Sequence, residues 1–338
     1  MSVLPRPSRL PSLLAQPEAR LALILLVVVA LMAVLAPERF LSAQNATSMA
    51  FQFPEFAILA LATTAAMLTG GIDLSVVGIA NCAAIVAALI LTRLAPGADA
   101  GLPWLLAAYA AALAVGALAG AFNGLLIAHA GLPPILATLG SGLVFTGVAV
   151  ALTQGSAVMG FPASVAWLGN GTAFGIPVPL LVFAALAVGL SLLITRTRFG
   201  LKVQMFGANP LAARYAALDV ERLLLRVYVL SGLLAAVAGL LIMSRANSAK
   251  ADYGSSYLLL AVLIAVLGGV NPYGGYGRVI GVVLAVVTMQ VLSSGLNMLQ
   301  VNNFAREMIW GALLILVMVI NTRQWRRRRR VASPVGPP

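Results

Sequence analysis

The chain has 338 residues, 61% of them hydrophobic and 9% charged, with a net charge of +12. Soluble domains are roughly a quarter charged, so this deficit and the long apolar runs exclude an ordinary soluble domain and point to a polytopic membrane protein. One cysteine, Cys82, and one histidine, His129, leave no intrachain disulfide, no cysteine or histidine-pair metal cluster and no ready histidine triad.

Residues 1–20 carry Pro, Ser and Arg and read as a cytoplasmic N-terminal tail. Residues 21–36 are a charge-free apolar run. It starts late for a secretory leader and no small-x-small site follows it directly, so it reads as an uncleaved first span. Further spans are expected over 53–69, 74–92, 104–128, 135–153 and 177–194. The fourth carries Gly116, Gly120 and Gly124 on one face, a spacing suited to close helix packing. The segment 154–176 has no charge and reads as external.

A basic interruption follows over 195–226, with Arg196, Arg198, Lys202, Arg214, Arg222 and Arg226 against Asp219 and Glu221. Within it, Asn209 is suited to cap a helix and Pro210 to fill its first position, ahead of a short Ala-rich helix over 211–218. Spans resume over 227–244, 257–267, 279–296 and 304–321. The eleven residues of 257–267 are too short to cross a core of ~30 Å unless the Gly-rich turn 268–278 also lies in the membrane. Ten spans then place the N-terminus, the loop 195–226 and the tail 322–338 on one side. These are the basic segments, so count and charge agree on a cytoplasmic location for all three. Arg323 and Arg326 to Arg330 of the tail can also touch anionic lipid. The same placement argues against nucleic acid as the partner of this charge, because no soluble module carries it. The fold class expected is all-α, a permease domain over 21–321 with about ten spans and broken helices near 70–75 and 268–278.

Asp73 reads as the one acid at membrane depth in the early spans. It is either a pathway group or, with Ser75, a cap for the third helix. Asn81, Asn123, Gln290 and Asn297 are isolated amides on apolar helices. They either line a hydrophilic path or bond helix to helix. His129 sits at a helix end as an interfacial residue, and Arg306-Glu307 reads as an ion pair opening the last span. No stretch has the phosphate-cradling spacing G-x-x-x-x-G-K-[ST], so any ATP used is bound by another subunit.

LTGGIDLS (68–75), GLPPILATLGSGLVFTG (131–147), TRFGLKVQMFGANPLAARYAALDV (197–220), LGGVNPYGGYGRVIG (267–281) and SSGLNML (293–299) occur in this order. Together they resemble the permease subunits of bacterial ABC sugar importers, the ribose, xylose and galactose type of binding-protein-dependent inner-membrane components. The resemblance covers about residues 50–321. It implies a multi-pass inner-membrane subunit without enzymatic activity or cofactor of its own. It also implies a second permease subunit, identical or paralogous, a cytoplasmic tandem ATPase and a periplasmic sugar-binding protein. The family's ATPase-coupling helix maps onto Gly207, Asn209, Pro210, Ala212, Ala213 and Arg214, with Tyr215 beside it. Departures at Val77, at Val270-Asn271-Pro272 and at Thr146 bear on which solute is carried. A branched-chain amino acid permease of the same architecture is the alternative. An ion-coupled secondary transporter is the more distant one, since it calls for more intramembrane carboxylates.

Overall fold

The computed structural model describes residues 17–94 and 101–332. Most of the expected tail 1–20, part of the loop after residue 92 and the end of the tail 322–338 lie outside the described residues.

The first helices are α1 (Pro17–Leu35), α2 (Pro37–Phe40), α3 (Ala43–Gln52) and α4 (Pro54–Met67). The last two meet at 42° and together make one bent span. Pro54 sets that break, since it occupies the first turn of α4 and has no N–H to continue α3. Ser42 opens α3 by accepting from the Asn45 amide at 3.2 Å. α5 (Val76–Leu89) runs into a π turn over Ile90–Leu94. α6 (Leu102–Ala128) and α7 (Pro134–Thr153) follow, each with Pro in its first turn. In the uncharged segment, β1 (Val158–Met159), α8 (Ala163–Asn170), β2 (Thr172–Ala173) and β3 (Ile176–Pro177) precede α9 (Val178–Arg196). β2 and β3 pair as a small hairpin.

The basic segment folds as α10 (Arg198–Ala208) and α11 (Pro210–Tyr215) before α12 (Val220–Ala246) begins. Each opens on a polar cap: Thr197 Oγ1 accepts from Gly200 N, Asn209 Oδ1 from Ala212 N, and Asp219 Oδ1 from Arg222 N. The helix expected over 211–218 stops at Tyr215. Ala217 takes a left-handed backbone (φ 53°), which turns the Leu218 amide back onto the Ala213 carbonyl at 3.1 Å. The seventh span likewise starts earlier than its apolar run, because Asp219 caps it eight residues ahead of Val227.

β4 (Ser248–Ala249) pairs antiparallel with β1. α13 (Tyr257–Leu267), α14 (Val279–Met298) and α15 (Asn303–Ala332) complete the chain. Among the described residues, seven helices are each long and apolar enough to cross a membrane, and the bent α3–α4 pair makes an eighth. The protein is therefore an all-α polytopic membrane protein, with two-residue strands only as loop fasteners.

α12 is the central post. It packs on α4, α5, α6 and α8, and 78% of its most apolar stretch is buried. α1, by contrast, is 11% buried and packs mainly on α14. The three spaced glycines of α6 face α12: a Cβ on Gly124 would lie 2.8 Å from Leu225 Cα, and one on Gly116 would collide with the Gly232 carbonyl. Small residues here let two backbones touch, which takes the place of hydrophobic driving force between helices in lipid.

Candidate functional site

Three arrangements bear on function. The first joins the two broken-helix turns. Leu68 to Ser75 links α4 to α5, and Gly268 to Arg278 links α13 to α14. The turns meet directly, with the Gly275 amide donating to the Leu68 carbonyl at 2.9 Å. Gly70 (φ +82°) and Gly274 (φ +89°) sit in the left-handed region at this meeting. A Cβ on Gly274 would be 2.6 Å from Gly70 N and 2.8 Å from the Gly207 carbonyl, so only glycine fits. Gly207 is buried at the end of α10 and presses on both turns. Asn271 stiffens the second turn, its amide donating to the Gly274 carbonyl at 2.8 Å while its oxygen accepts from Tyr273 N at 2.9 Å.

On this joint stands α11. Asn209 caps it, Pro210 starts it, and Ala213 is buried at 2% exposure. Ala212 and Arg214 face outward, as does Tyr215 at 84% exposure, with Leu211 beside them. The helix thus has a buried root and an outward face carrying an aromatic ring and a guanidinium.

The second arrangement is a polar knot. Asp73 is fully buried. Its Oδ1 accepts from Ser75 N at 2.9 Å and Ser75 Oγ at 2.6 Å, and its Oδ2 accepts from Ser231 Oγ at 2.7 Å. Asn123 donates to Ser75 Oγ at 2.7 Å. The helix that follows begins at Val76, and Ser75 makes no side-chain cap on it. Of the two residues read as a possible cap, Ser75 thus makes none with its side chain, while Asp73 bonds the amide at the helix boundary and ties it to α12, because Ser231 stands opposite. Asn81 is likewise spent, donating to the Ala251 and Tyr253 carbonyls at 2.9 Å each.

The third arrangement gathers the other two amides around open space. Gln290 lines a cavity of about 240 Å³ and Asn297 an adjoining one of about 690 Å³. Gln52, Arg245, Ser293 and Arg306 line both. Sequence reasoning missed Glu55, a second buried acid at 6% exposure in the early spans, which pairs with Arg245 at 3.1 Å. The signal was present, since an acid just inside one span and a base at the end of another invite pairing. The ion pair expected between Arg306 and Glu307 does not form among the described residues; Arg306 bonds Asn303 instead. Successive helical residues point about 100° apart, whereas residues three apart share a face. His129 does meet a charge, Glu221 at 3.2 Å, at the exposed junction of α6 and α12.

Comparison with known proteins agrees with this architecture. Residues 45–318 match the family described as "Branched-chain amino acid transport system / permease component". Among curated proteins, the Autoinducer 2 import system permease protein LsrD of Yersinia pseudotuberculosis (serotype O:3, strain YPIII) is 36% identical over 287 residues, covering 81% of this chain and 84% of the relative. Its counterparts in Yersinia enterocolitica and Yersinia pestis (strain Pestoides F) match at the same identity and coverage. No solved structure matches the chain. With the family covering most of the sequence and both broken-helix turns, the chain belongs to the branched-chain amino acid transport system permease family and is a membrane-embedded permease component, with ATP hydrolysis carried by a separate subunit.

Proposed function

We propose that this chain is one of two permease subunits of an ABC importer in the bacterial inner membrane, carrying a small hydroxyl-rich solute. A periplasmic binding protein delivers the solute, and a cytoplasmic tandem ATPase drives the cycle. The observation that carries the reading is the rooted α10–α11 unit. Gly207 sits on the joint of both broken-helix turns, and Arg214 and Tyr215 face outward from the helix above it. A docked ATPase that moves α11 would move both turns, and with them α5 and α14. Such a device turns a nucleotide-biased equilibrium into alternating access.

Ten crossings fit this reading: the eight spans above, then α13 with its turn, then α15. The start of α1 lies beside the second turn, since Glu18 meets Arg278 at 3.2 Å, and α10 touches that same turn. The N-terminus, the loop 195–226 and the basic tail 322–338 then share the cytoplasmic side, where the tail meets anionic lipid.

The relatives' name concerns autoinducer 2 and the family's description concerns branched-chain amino acids. The polar cavity walls favour the hydroxylated solute over an aliphatic one. An ion-coupled carrier is disfavoured because both Asp73 oxygens already accept hydrogen bonds. The test is purification of the native complex with its partners identified by mass spectrometry, followed by ATPase assay with loaded binding protein. A tandem ATPase that co-purifies and is stimulated is the expected result. A chain that transports alone, driven by an ion gradient, overturns the proposal.

A further inference from the structure

We infer that the two adjoining cavities bounded by α3, α13, α14 and α15 form a solute subsite for a neutral polyhydroxylated molecule, with Gln290 as its central hydrogen-bonding group. The inference deepens the importer reading and rests on it.

Gln290 is 4% exposed, lines the smaller cavity, and makes no side-chain hydrogen bond among the described residues. Its amide offers two donors and an acceptor, and these atoms are not enclosed by protein but reach the open space of the cavity. The other polar candidates on the apolar helices show the contrast, because Asp73, Ser75, Asn81 and Asn123 all bond to protein. The Nε of Arg306 and the Nε1 of Trp310 also lack partners, but both atoms are enclosed by protein and face no open space. Trp310 adds a flat ring suited to the C–H face of a sugar.

The charges are balanced. Arg245 is held by Glu55 at 3.1 Å, Arg306 is followed along the same wall by Glu307, and the larger cavity adds Glu38 beside Arg39. A wall with compensated charge and unfilled hydrogen-bonding groups suits a neutral polyol rather than an ion. The cavity that Gln290 lines, about 240 Å³, is below the size of small-molecule sites by itself, about 300–1,000 Å³, and reaches that size only with the adjoining one of about 690 Å³, which shares Gln52, Arg245, Ser293 and Arg306 with it. Arg245 stands twenty-five residues along α12 from Val220, about 37 Å at 1.5 Å per residue. The subsite therefore lies at the end of the post remote from α11, where solute first enters an importer.

The experiment uses the complete complex in proteoliposomes, with labelled ribose, galactose, autoinducer 2 and leucine as probes. Gln290→Leu keeps the volume and removes the amide. In an assembled complex it raises the half-saturating concentration of the transported sugar or autoinducer about three- to tenfold, the worth of one or two hydrogen bonds. Independently of transport, Ser293→Cys in a Cys82→Ala background is labelled by a water-soluble maleimide, and the hydroxylated solute slows that labelling while leucine does not. Should Gln290→Leu fail to assemble, the labelling decides. Hydroxylated solutes carried equally well by Gln290→Leu, or Ser293→Cys labelled at one rate with and without them, overturn the subsite and leave the importer reading standing. Uptake of leucine alone by the parent complex overturns the solute class, and the subsite's chemistry with it.

Discussion

The Gly275 amide donates to the Leu68 carbonyl at 2.9 Å, so two turns far apart in sequence form one joint, and α10 rests on it through Gly207. A side chain on Gly207 would collide with the Leu68 carbonyl and the Gly275 amide, which are backbone atoms fixed by that same hydrogen bond. Motion of α11 therefore reaches both broken helices without passing through flexible side chains.

Gly207→Val is expected to destabilise the permease by about 1–3 kcal/mol through overpacking, and to uncouple ATP hydrolysis from solute. Gly311→Ala, where an added Cβ meets nothing within 4 Å, should stay within about 0.5 kcal/mol of the parent. Thermal unfolding in detergent, followed by size-exclusion chromatography, separates the two. Equal stability for both variants would mean the joint yields easily.

Arg214→Glu and Tyr215→Ala should leave the permease inserted and dimeric but weaken its hold on the ATPase. Exposed aromatic and arginine side chains on a docking helix commonly carry about 2 kcal/mol or more each, some thirtyfold in affinity. Ala213→Trp behaves differently, because Ala213 is the buried root of the helix, and it should disturb the loop itself. ATPase co-purification and solute-stimulated hydrolysis check this. Parent-like values for Arg214→Glu and Tyr215→Ala together would remove α11 from the contact.

Asp73→Asn should fold and retain most uptake. The amide oxygen can still accept from Ser75 N and Ser75 Oγ, and its NH₂ can donate to Ser231, whose hydroxyl serves as donor or acceptor. Asp73→Leu leaves those donors unmatched at a fully buried position and should cost about 2–4 kcal/mol, enough to abolish accumulation. A normally assembled Asp73→Asn complex with no uptake would return Asp73 to the solute path.

A fusion after Asn321 should be fluorescent with a cytoplasmic reporter and inactive with alkaline phosphatase, and an insertion in the loop 195–226 should behave in the same way. Active phosphatase at either site would reverse the orientation and move the subsite of Gln290 to the cytoplasmic face.

The class of protein was legible in the sequence because composition and periodicity report a membrane protein directly. A run of apolar residues can satisfy its backbone in lipid only as a helix, and Pro or a polar cap marks where it starts. Asn209 capping α11 and Gly116, Gly120 and Gly124 lying on one packed face follow from local spacing alone. The roles of the polar residues did not follow. Asp73, Asn81, Asn123 and Gln290 are alike in sequence, each a lone polar group among aliphatic neighbours. What separates them is whether a partner from a distant helix stands opposite: Ser231 for Asp73, the 251–253 carbonyls for Asn81, Ser75 for Asn123, and open space for Gln290. The pairing of Glu55 with Arg245 and the seat of Gly207 on two remote turns were hidden for the same reason. Local patterning sets which segments become helices, but a buried polar group takes its meaning from the atom it faces, and only the tertiary packing decides that.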